Sequence, residues 1–383
     1  MSLGIDKSSW RRVTFGDVVR NVNETVKDAA ASAIDRVIAM EHMDPGELKV
    51  NRWGDAADGT TFTRRVRPGQ TLFGKRRAYQ RKVAYAEFEA ICSGDIYTFE
   101  ADGTRMLGDF LPFLVQSDRF FDHALDTSAG SLSPRTNWRE LADFEFELPP
   151  LDEQKHIADL LWSVEHHRDT LTELARSLKT SASRMIDDLR NSEHPVKPVG
   201  SIATVRNGQN YPKSMQDGRE GDVPFFKVAD LDRPGNERFL TNPGGWVTAE
   251  DVGLLSADIL PAGTIVTARV GAAIKLERRR ALAAPGLVDE NHLVIRPFGV
   301  DSDYLLAVLS ETKLARSSND GVVPSLNQRI VGSVEVPSIS ADAETRVGAA
   351  YRAVGDAGDV VHSELGGLGR LRGSLLNAVF GGS

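Results

Sequence analysis

Apolar residues recur along two stretches of the chain at steps of three, four and seven residues. In the first they are Ile157, Leu161, Val164, Leu171, Leu178, Met185 and Leu189; in the second, Val347, Tyr351, Val354, Val361, Leu368, Leu375 and Val379. Such spacing keeps one stripe of a helix apolar, as in the seam of a coiled coil. Each residue of the second set lies 190 positions after its counterpart, from Val347 after Ile157 to Val379 after Leu189, so the stretches share a register. The pattern predicts helices over 152–190 and 340–379. At about 39 residues and about 1.5 Å per residue, each is a rod on the order of 57 Å. A rod of that length exposes its stripe unless something covers it, and the economical cover is the other helix, packed as an antiparallel coiled coil. The alternative is that each helix packs on its own domain.

A mixed, β-rich segment precedes each helix, so the chain reads as a duplicated unit. The expected fold class is α+β: two β-rich mixed domains related by an internal pseudo-two-fold repeat and joined by two long helices. The expected boundaries are 1–149 for the first domain, 150–195 for the central helix, 196–338 for the second domain and 339–383 for the C-terminal helix. Local strings support the repeat. Pro68-Gly69-Gln70-Thr71-Leu72-Phe73 parallels Ala262-Gly263-Thr264-Ile265-Val266-Thr267, a turn running into an apolar strand. Gly130-Ser131-Leu132-Ser133-Pro134 with Asn137 parallels Gly321-Val322-Val323-Pro324-Ser325 with Asn327. These loops either deliver Ser131, Arg135, Ser325 and Gln328 to a ligand or simply close the domain. A short strand then runs into Pro149 or Pro337, with Asp152 and Ser340 available as helix caps.

Composition narrows the classes. The chain has 383 residues, 41% of them hydrophobic and 26% charged, enough for two or three cores. No run approaches the roughly 18 apolar residues of a membrane span, and the N-terminus lacks a signal-peptide core. A single cysteine, Cys92, excludes an internal disulfide and fits a cytoplasmic location. No metal or cofactor is expected. His166 and His167 are adjacent and point apart on a helix. Gly366, Gly367, Gly369 and Gly373 imitate a dinucleotide fingerprint but lie inside the second heptad stretch, where they mark a weak or kinked part of the helix. Asn242-Pro243-Gly244-Gly245 reads as a turn and not as a methyltransferase motif.

Net charge is −8, yet the basic residues cluster. Arg64, Arg65, Arg67, Lys75, Arg76, Arg77, Arg81 and Lys82 occur with no acidic residue among them, interleaved with Phe73 and Tyr79. Arg269, Lys275, Arg278, Arg279 and Arg280 form a second cluster, opposed only by Glu277. Clusters at corresponding places in two repeated segments suit neutralisation of DNA phosphates, and arginine also reaches guanine edges; the plain alternative is a solvated basic face. Arg206, Asn207, Gln209 and Tyr211 are further candidates, since Asn and Gln suit adenine edges, although Asn207-Gly208 is equally a turn pair. Asp44, Glu47 and Lys49 could be arranged as a nuclease centre only on paper.

The string from Leu148 to Ala158, Leu-Pro-Pro-Leu-Asp-Glu-Gln-Lys-His-Ile-Ala, opening a long helix after a β-rich domain, closely resembles the central region of the specificity subunit of type I restriction-modification enzymes. Residues 10–18 and 72–97 extend the likeness through the first half, and residues 199–208 carry it into the second. Around Val336-Pro337-Ser338-Ile339-Ser340-Ala341-Asp342 the second proline and the Glu-Gln pair are missing. The resemblance implies a non-catalytic subunit that reads the two halves of a bipartite target in double-stranded DNA, with the helices as a ruler between two target-recognition domains. It also implies docking of methyltransferase subunits, two by the pseudo-symmetry, and of restriction subunits through the complex. A duplicated scaffold that reads no DNA is the competing expectation.

Overall fold

A computed structural model describes residues 5–27, 32–128, 134–212, 220–317 and 325–381. It separates into two compact units, Met1–Leu171 with Glu364–Ser383, and Thr172–Ser363.

Among the described residues the first unit holds ten strands: β1 (Arg11–Thr14), β2 (Val19–Asn21), β3 (Arg36–Ile38), β4 (Gly54–Asp55), β5 (Arg64–Val66), β6 (Thr71–Gly74), β7 (Val83–Tyr85), β8 (Ala90–Cys92), β9 (Ile96–Ala101) and β10 (Glu145–Leu148). They form sheets of order β2-β9-β6-β7 and β4-β3-β8-β5, with β1 and β10 paired separately. Strand β6 lies between two neighbours, and all four of its residues, Thr71-Leu72-Phe73-Gly74, are buried. Gly69 precedes it at φ 87°, a left-handed conformation that glycine adopts without steric cost. Phe15, Phe73, Phe99 and Phe120 fill the centre, with Phe15 and Phe99 edge to face at 5.3 Å.

In the second unit the strands are β11 (Val196–Pro198), β12 (Ala203–Asn207), β13 (Val223–Phe226), β14 (Phe239–Leu240), β15 (Gly245–Val247), β16 (Ile265–Ala268), β17 (Arg279–Leu282), β18 (Leu287–Val288), β19 (His292–Pro297) and β20 (Glu335–Pro337). The sheets run β12-β19-β16-β17-β14 and β15-β13-β18, and β11 pairs with β20. Gly263, at φ 79°, turns the chain into β16. Aliphatic residues dominate this core: Ile265, Leu293 and Ile295 pack with Leu305 and with the fully buried Tyr304, whose hydroxyl donates to the Pro337 carbonyl at 2.7 Å.

The long helices span Leu151–Asn191 and Ala341–Phe380, 41 and 40 residues. The heptad positions of both are buried or half-buried, none exposed. Within the first unit, Leu161 and Val164 share one buried cluster with Leu375, Leu376, Val379 and the phenylalanine core. Within the second, Ile186, Val347 and Tyr351 join the sheet core. Ile186 lies one place off the heptad and is 0% exposed, while its heptad neighbour Met185 is only half-buried. The C-terminal helix runs unbroken through Gly366, Gly367, Gly369 and Gly373. Ser340 caps it, its hydroxyl accepting from Ala343 N at 3.3 Å. Asp152 does not play the equivalent part; it lies in the first turn of the central helix. The closing contacts there come from buried Gln154, whose amide donates to the carbonyls of Pro149 and Arg105 at 2.8 and 2.7 Å and accepts from Leu107 N at 2.9 Å. Among the described residues no helix is long and apolar enough to cross a membrane.

Replacing Ile186 with Ala is expected to lower stability to urea by about 2–5 kcal/mol, and with Val by about 0.5–1.5 kcal/mol. Burial pushes the Cys92 thiol up to about 12, against the opposing pull of Arg64. The thiol therefore stays protonated at pH 8, and iodoacetamide is expected to label it only after unfolding. Rapid labelling of the native chain would contradict that burial.

Candidate nucleic-acid interface

The basic run of the first unit divides between two sheets. Arg64 and Arg65 lie on β5 with Arg67 just beyond, whereas residues 75–82 form the loop between β6 and β7. The fold also brings in carboxylates absent from the run itself. Glu24 takes both Arg65 (3.1 Å) and Arg67 (2.8 Å), and Glu89 also pairs with Arg65. Arg67 holds the Glu24 carboxyl below its usual range, chiefly through hydrogen bonding. Arg76 faces Asp95 at 3.4 Å, and Arg81 pairs with Asp118 while lying 4.6 Å from the centroid of the Phe121 ring. Arg64 donates to the Ile96 carbonyl and Lys82 to the Met40 carbonyl. Lys75 sits over Tyr97 at 4.8 Å, its pKa lowered by burial first and by Arg64 second. The run itself contains no acidic residue, and tertiary pairing supplies carboxylates from elsewhere in the chain.

Arg77 is exposed and has no carboxylate partner among the described residues. It sits at φ 56°, and Arg81 at 52°, bracketing a 3-10 turn at Ala78–Gln80 whose Tyr79 is 56% exposed. Left-handed backbone at a non-glycine residue costs about 1–2 kcal/mol, so this loop is held in a shape that local preference disfavours.

The second unit builds a related loop between β16 and β17. A 3-10 turn at Ala272–Leu276 lies between Gly271 at φ 76° and Glu277 at φ 54°, and presents Lys275 and the 54% exposed Leu276. Arg269 donates to the Glu290 carbonyl at 2.9 Å, and Arg278 pairs with Asp232. Arg279 and Arg280 are placed differently from expectation. Both lie on β17 and are buried, at 2% and 8% exposure. Arg279 binds Glu277 and the Thr312 carbonyl (2.7 Å), and burial draws its pKa down. Burial first, then Arg278, pushes Arg280 down to about 10. Their side chains serve the interior of the unit.

Arg206 pairs with Asp258, and Asn207 is exposed at the end of β12. Gln209 accepts from the Tyr211 hydroxyl at 3.1 Å and from Asp258 N at 3.4 Å. Tyr211 is 3% exposed and packs edge to face on Phe225, so its ring is a core element; burial and then Asp258 push its hydroxyl up to about 12. Asn207 ends β12, Gly208 N donates to the His292 carbonyl at 2.9 Å, and a Cβ at Gly208 would collide with the Asp289 carbonyl.

Residues outside the two basic runs also reach these loops. Exposed Arg135 forms a bridge opposite Arg76 and pairs with Asp95 at 3.2 Å, and Ser325 bridges Val270. The paired Gly/Ser loops pointed to both, whereas nothing local marks Asp95. Gln328 is exposed at the start of a short helix, and Ser131 lies outside the described residues. The nuclease arrangement does not assemble. Asp44 holds Arg52 at 2.7 Å, Glu47 holds Arg168 at 2.9 Å, and Lys49 faces Asp169 at 3.8 Å. His167 pairs with Glu364 at 2.8 Å, and the His166 ring lies tilted against Trp162.

Residues 62–179 match the family model of the type I restriction modification DNA specificity domain. A 103-residue segment is 28% identical to the type I restriction enzyme EcoDI specificity subunit of Escherichia coli, covering 27% of this chain and 22% of that protein. The match thus spans about a fifth of that relative's length. The crystal structure of a type I restriction-modification S subunit from M. genitalium superposes with a TM-score of 0.68 at 15% identity, over 100% of this chain and 99% of that one. A chain from a structure of a type I R-M system gives 0.54 at 17% identity, over 97% and 98%. At these identities the two structures establish a shared α+β fold.

Replacing Arg279 with Ala leaves the half-buried Glu277 without its cation. The expected loss in denaturant unfolding is about 3 kcal/mol, whereas Lys275→Ala, at an exposed position, is expected to stay within about 0.5 kcal/mol.

Proposed function

We propose that this chain, which carries a type I restriction-modification DNA specificity domain over residues 62–179, is a non-catalytic, sequence-specific DNA-binding subunit that reads the two halves of a bipartite target. The observation that carries the reading is the overlap of that match with the β6–β7 loop and its cations. The wider organisation supports it. Strand order β2-β9-β6-β7 matches the first four strands of β12-β19-β16-β17-β14, and in each unit a basic loop follows the corresponding strand, β6 or β16. A duplicated reader of this kind takes two short blocks of sequence, and the long helices act as the ruler that sets the gap between them. Duplicated faces also suit docking of two methyltransferase subunits, with restriction subunits recruited through the complex. On this reading Arg77, Lys75, Lys275 and Arg278 contact phosphate, Arg206 and Asn207 face the duplex, and the domain boundaries are 1–149, 150–195, 196–338 and 339–383.

One observation favours the competing scaffold: Arg65, Arg67, Arg76, Arg81, Arg206 and Arg278 are all held by carboxylates, which lowers the net positive potential of the loops. Selection from a randomised duplex library, using the chain purified with its methyltransferase subunit, separates the two. Two defined blocks around a fixed unspecified gap are expected; no motif, or one contiguous motif, would favour the scaffold. Arg77→Ala is expected to reduce the slope of log affinity against log salt by about one.

A further inference from the structure

The two basic loops share a backbone frame but present different chemistry at three matched positions. In the first unit, Gly74 pairs with Ile96 across β6 and β9; Lys75 N then donates to the Asp95 carbonyl at 3.0 Å, Thr136 N donates to the Lys75 carbonyl at 2.9 Å, and Arg76 bridges Arg135. In the second, Ala268 pairs with His292 across β16 and β19; Arg269 N donates to the Asn291 carbonyl at 2.9 Å, Leu326 N donates to the Arg269 carbonyl at 2.8 Å, and Val270 bridges Ser325. The same hydrogen bonds recur in the same order. Arg76, Asp95 and Arg135 therefore stand where the second unit has Val270, Asn291 and Ser325.

The first trio is a buttressed pair of guanidinium groups. One Asp95 oxygen holds Arg135 at 3.2 Å and the other holds Arg76 at 3.4 Å, while the two arginines keep 58% and 43% of their side-chain surface in solvent. An exposed ion pair adds little stability. It does restrict two long side chains to one orientation, which lowers the entropic cost of aiming their remaining N–H groups at a base edge. Guanidinium donors held in that way suit the paired acceptors of guanine. The second trio carries no charge. Asn291 offers a side-chain amide with no hydrogen-bond partner among the described residues, the donor and acceptor pair that adenine matches; Val270 offers a methyl surface of the kind that meets thymine; Ser325 offers a hydroxyl.

We propose that these matched trios are specificity determinants and make the two half-sites differ, the Arg76–Asp95–Arg135 trio reading a G·C-containing block and the Val270–Asn291–Ser325 trio an A·T-containing block. The inference rests on the bipartite reading above and adds which positions discriminate and for what. Asp95 is a positioning residue in this scheme, acting through the two arginines.

The test exchanges the trios in the full chain, with its methyltransferase subunit present, and repeats the library selection. The wild-type complex is expected to enrich one block with G·C and one with A·T pairs. The variant Arg76→Val, Asp95→Asn, Arg135→Ser is expected to alter the G·C block alone, to leave the other block and the gap unchanged, and to lose roughly 10- to 100-fold in affinity for the wild-type target. The reciprocal variant Val270→Arg, Asn291→Asp, Ser325→Arg is expected to draw the A·T block towards the G·C one. Each replacement already occurs on the same frame in the other unit, and if one variant fails to fold the other decides alone. Two wild-type blocks that persist unchanged in a folded exchange variant would overturn the trios and leave the bipartite reading standing. Failure of the wild-type complex to enrich two blocks would overturn both.

Discussion

Burial of one apolar stripe on each long helix is the constraint on which the rest of the structure depends. A helix of 41 residues with charged flanks has no reason to stay ordered unless its Ile157-to-Leu189 stripe is covered. The cover differs along its length. Leu161 and Val164 are enclosed by a phenylalanine-rich core together with Leu375, Leu376 and Val379; Ile186 is enclosed by an aliphatic sheet core bordered by Val347 and Tyr351. Polar groups secure the same surfaces. Glu165, 5% exposed, receives Arg168 at 3.0 Å and Arg372 as well, and Arg190 donates to the carbonyls of Glu311 and Val308 at 3.0 and 2.8 Å. A buried carboxylate with two cations is specific in geometry even where it adds little net stability. Each compact unit thus includes part of both helices.

On that frame the basic loops are shaped against local preference. Arg77, Arg81 and Glu277 occupy left-handed backbone without being glycines, and all three lie in the loops that follow β6 and β16. The surrounding hydrogen bonds impose that shape: Arg77 N donates to the Pro134 carbonyl at 2.8 Å, and Glu277 N to the Ile274 carbonyl at 3.1 Å. The carboxylates around the loops have a related effect. Asp95, Asp118, Glu24 and Asp232 neutralise much of the positive charge and at the same time orient the guanidinium groups.

The periodic features were legible in the sequence. The helix bounds at 152–190 and 340–379 lie within one residue of Leu151–Asn191 and Ala341–Phe380, because a heptad stripe is repeated over many turns and each turn reinforces the others. The glycine turns before β6 and β16, the strands ahead of Pro149 and Pro337 and the basic loops are likewise local signals, readable from a few neighbouring residues. The Leu148–Gln154 string was recognisable as a motif, but the reason for its glutamine appears only when Gln154 is seen closing on Arg105, Leu107 and Pro149.

What the tertiary structure alone decided is the state of each charge. Nothing near Arg67 reveals that Glu24, 43 residues earlier, will hold it, nor that Asp95 will gather Arg76 and Arg135. Arg279 and Arg280 look like surface cations in a basic run, yet β17 carries them inside, and Tyr211 likewise belongs to a core. The sequence determined the repeat of apolar spacing, and with it the two long helices, because helical periodicity is a property of residues three and four apart. Charge pairing and burial depend on which distant segments a sheet brings alongside, so the partners of the arginines, and the different trios that the two loops present, were settled only by strand order and register.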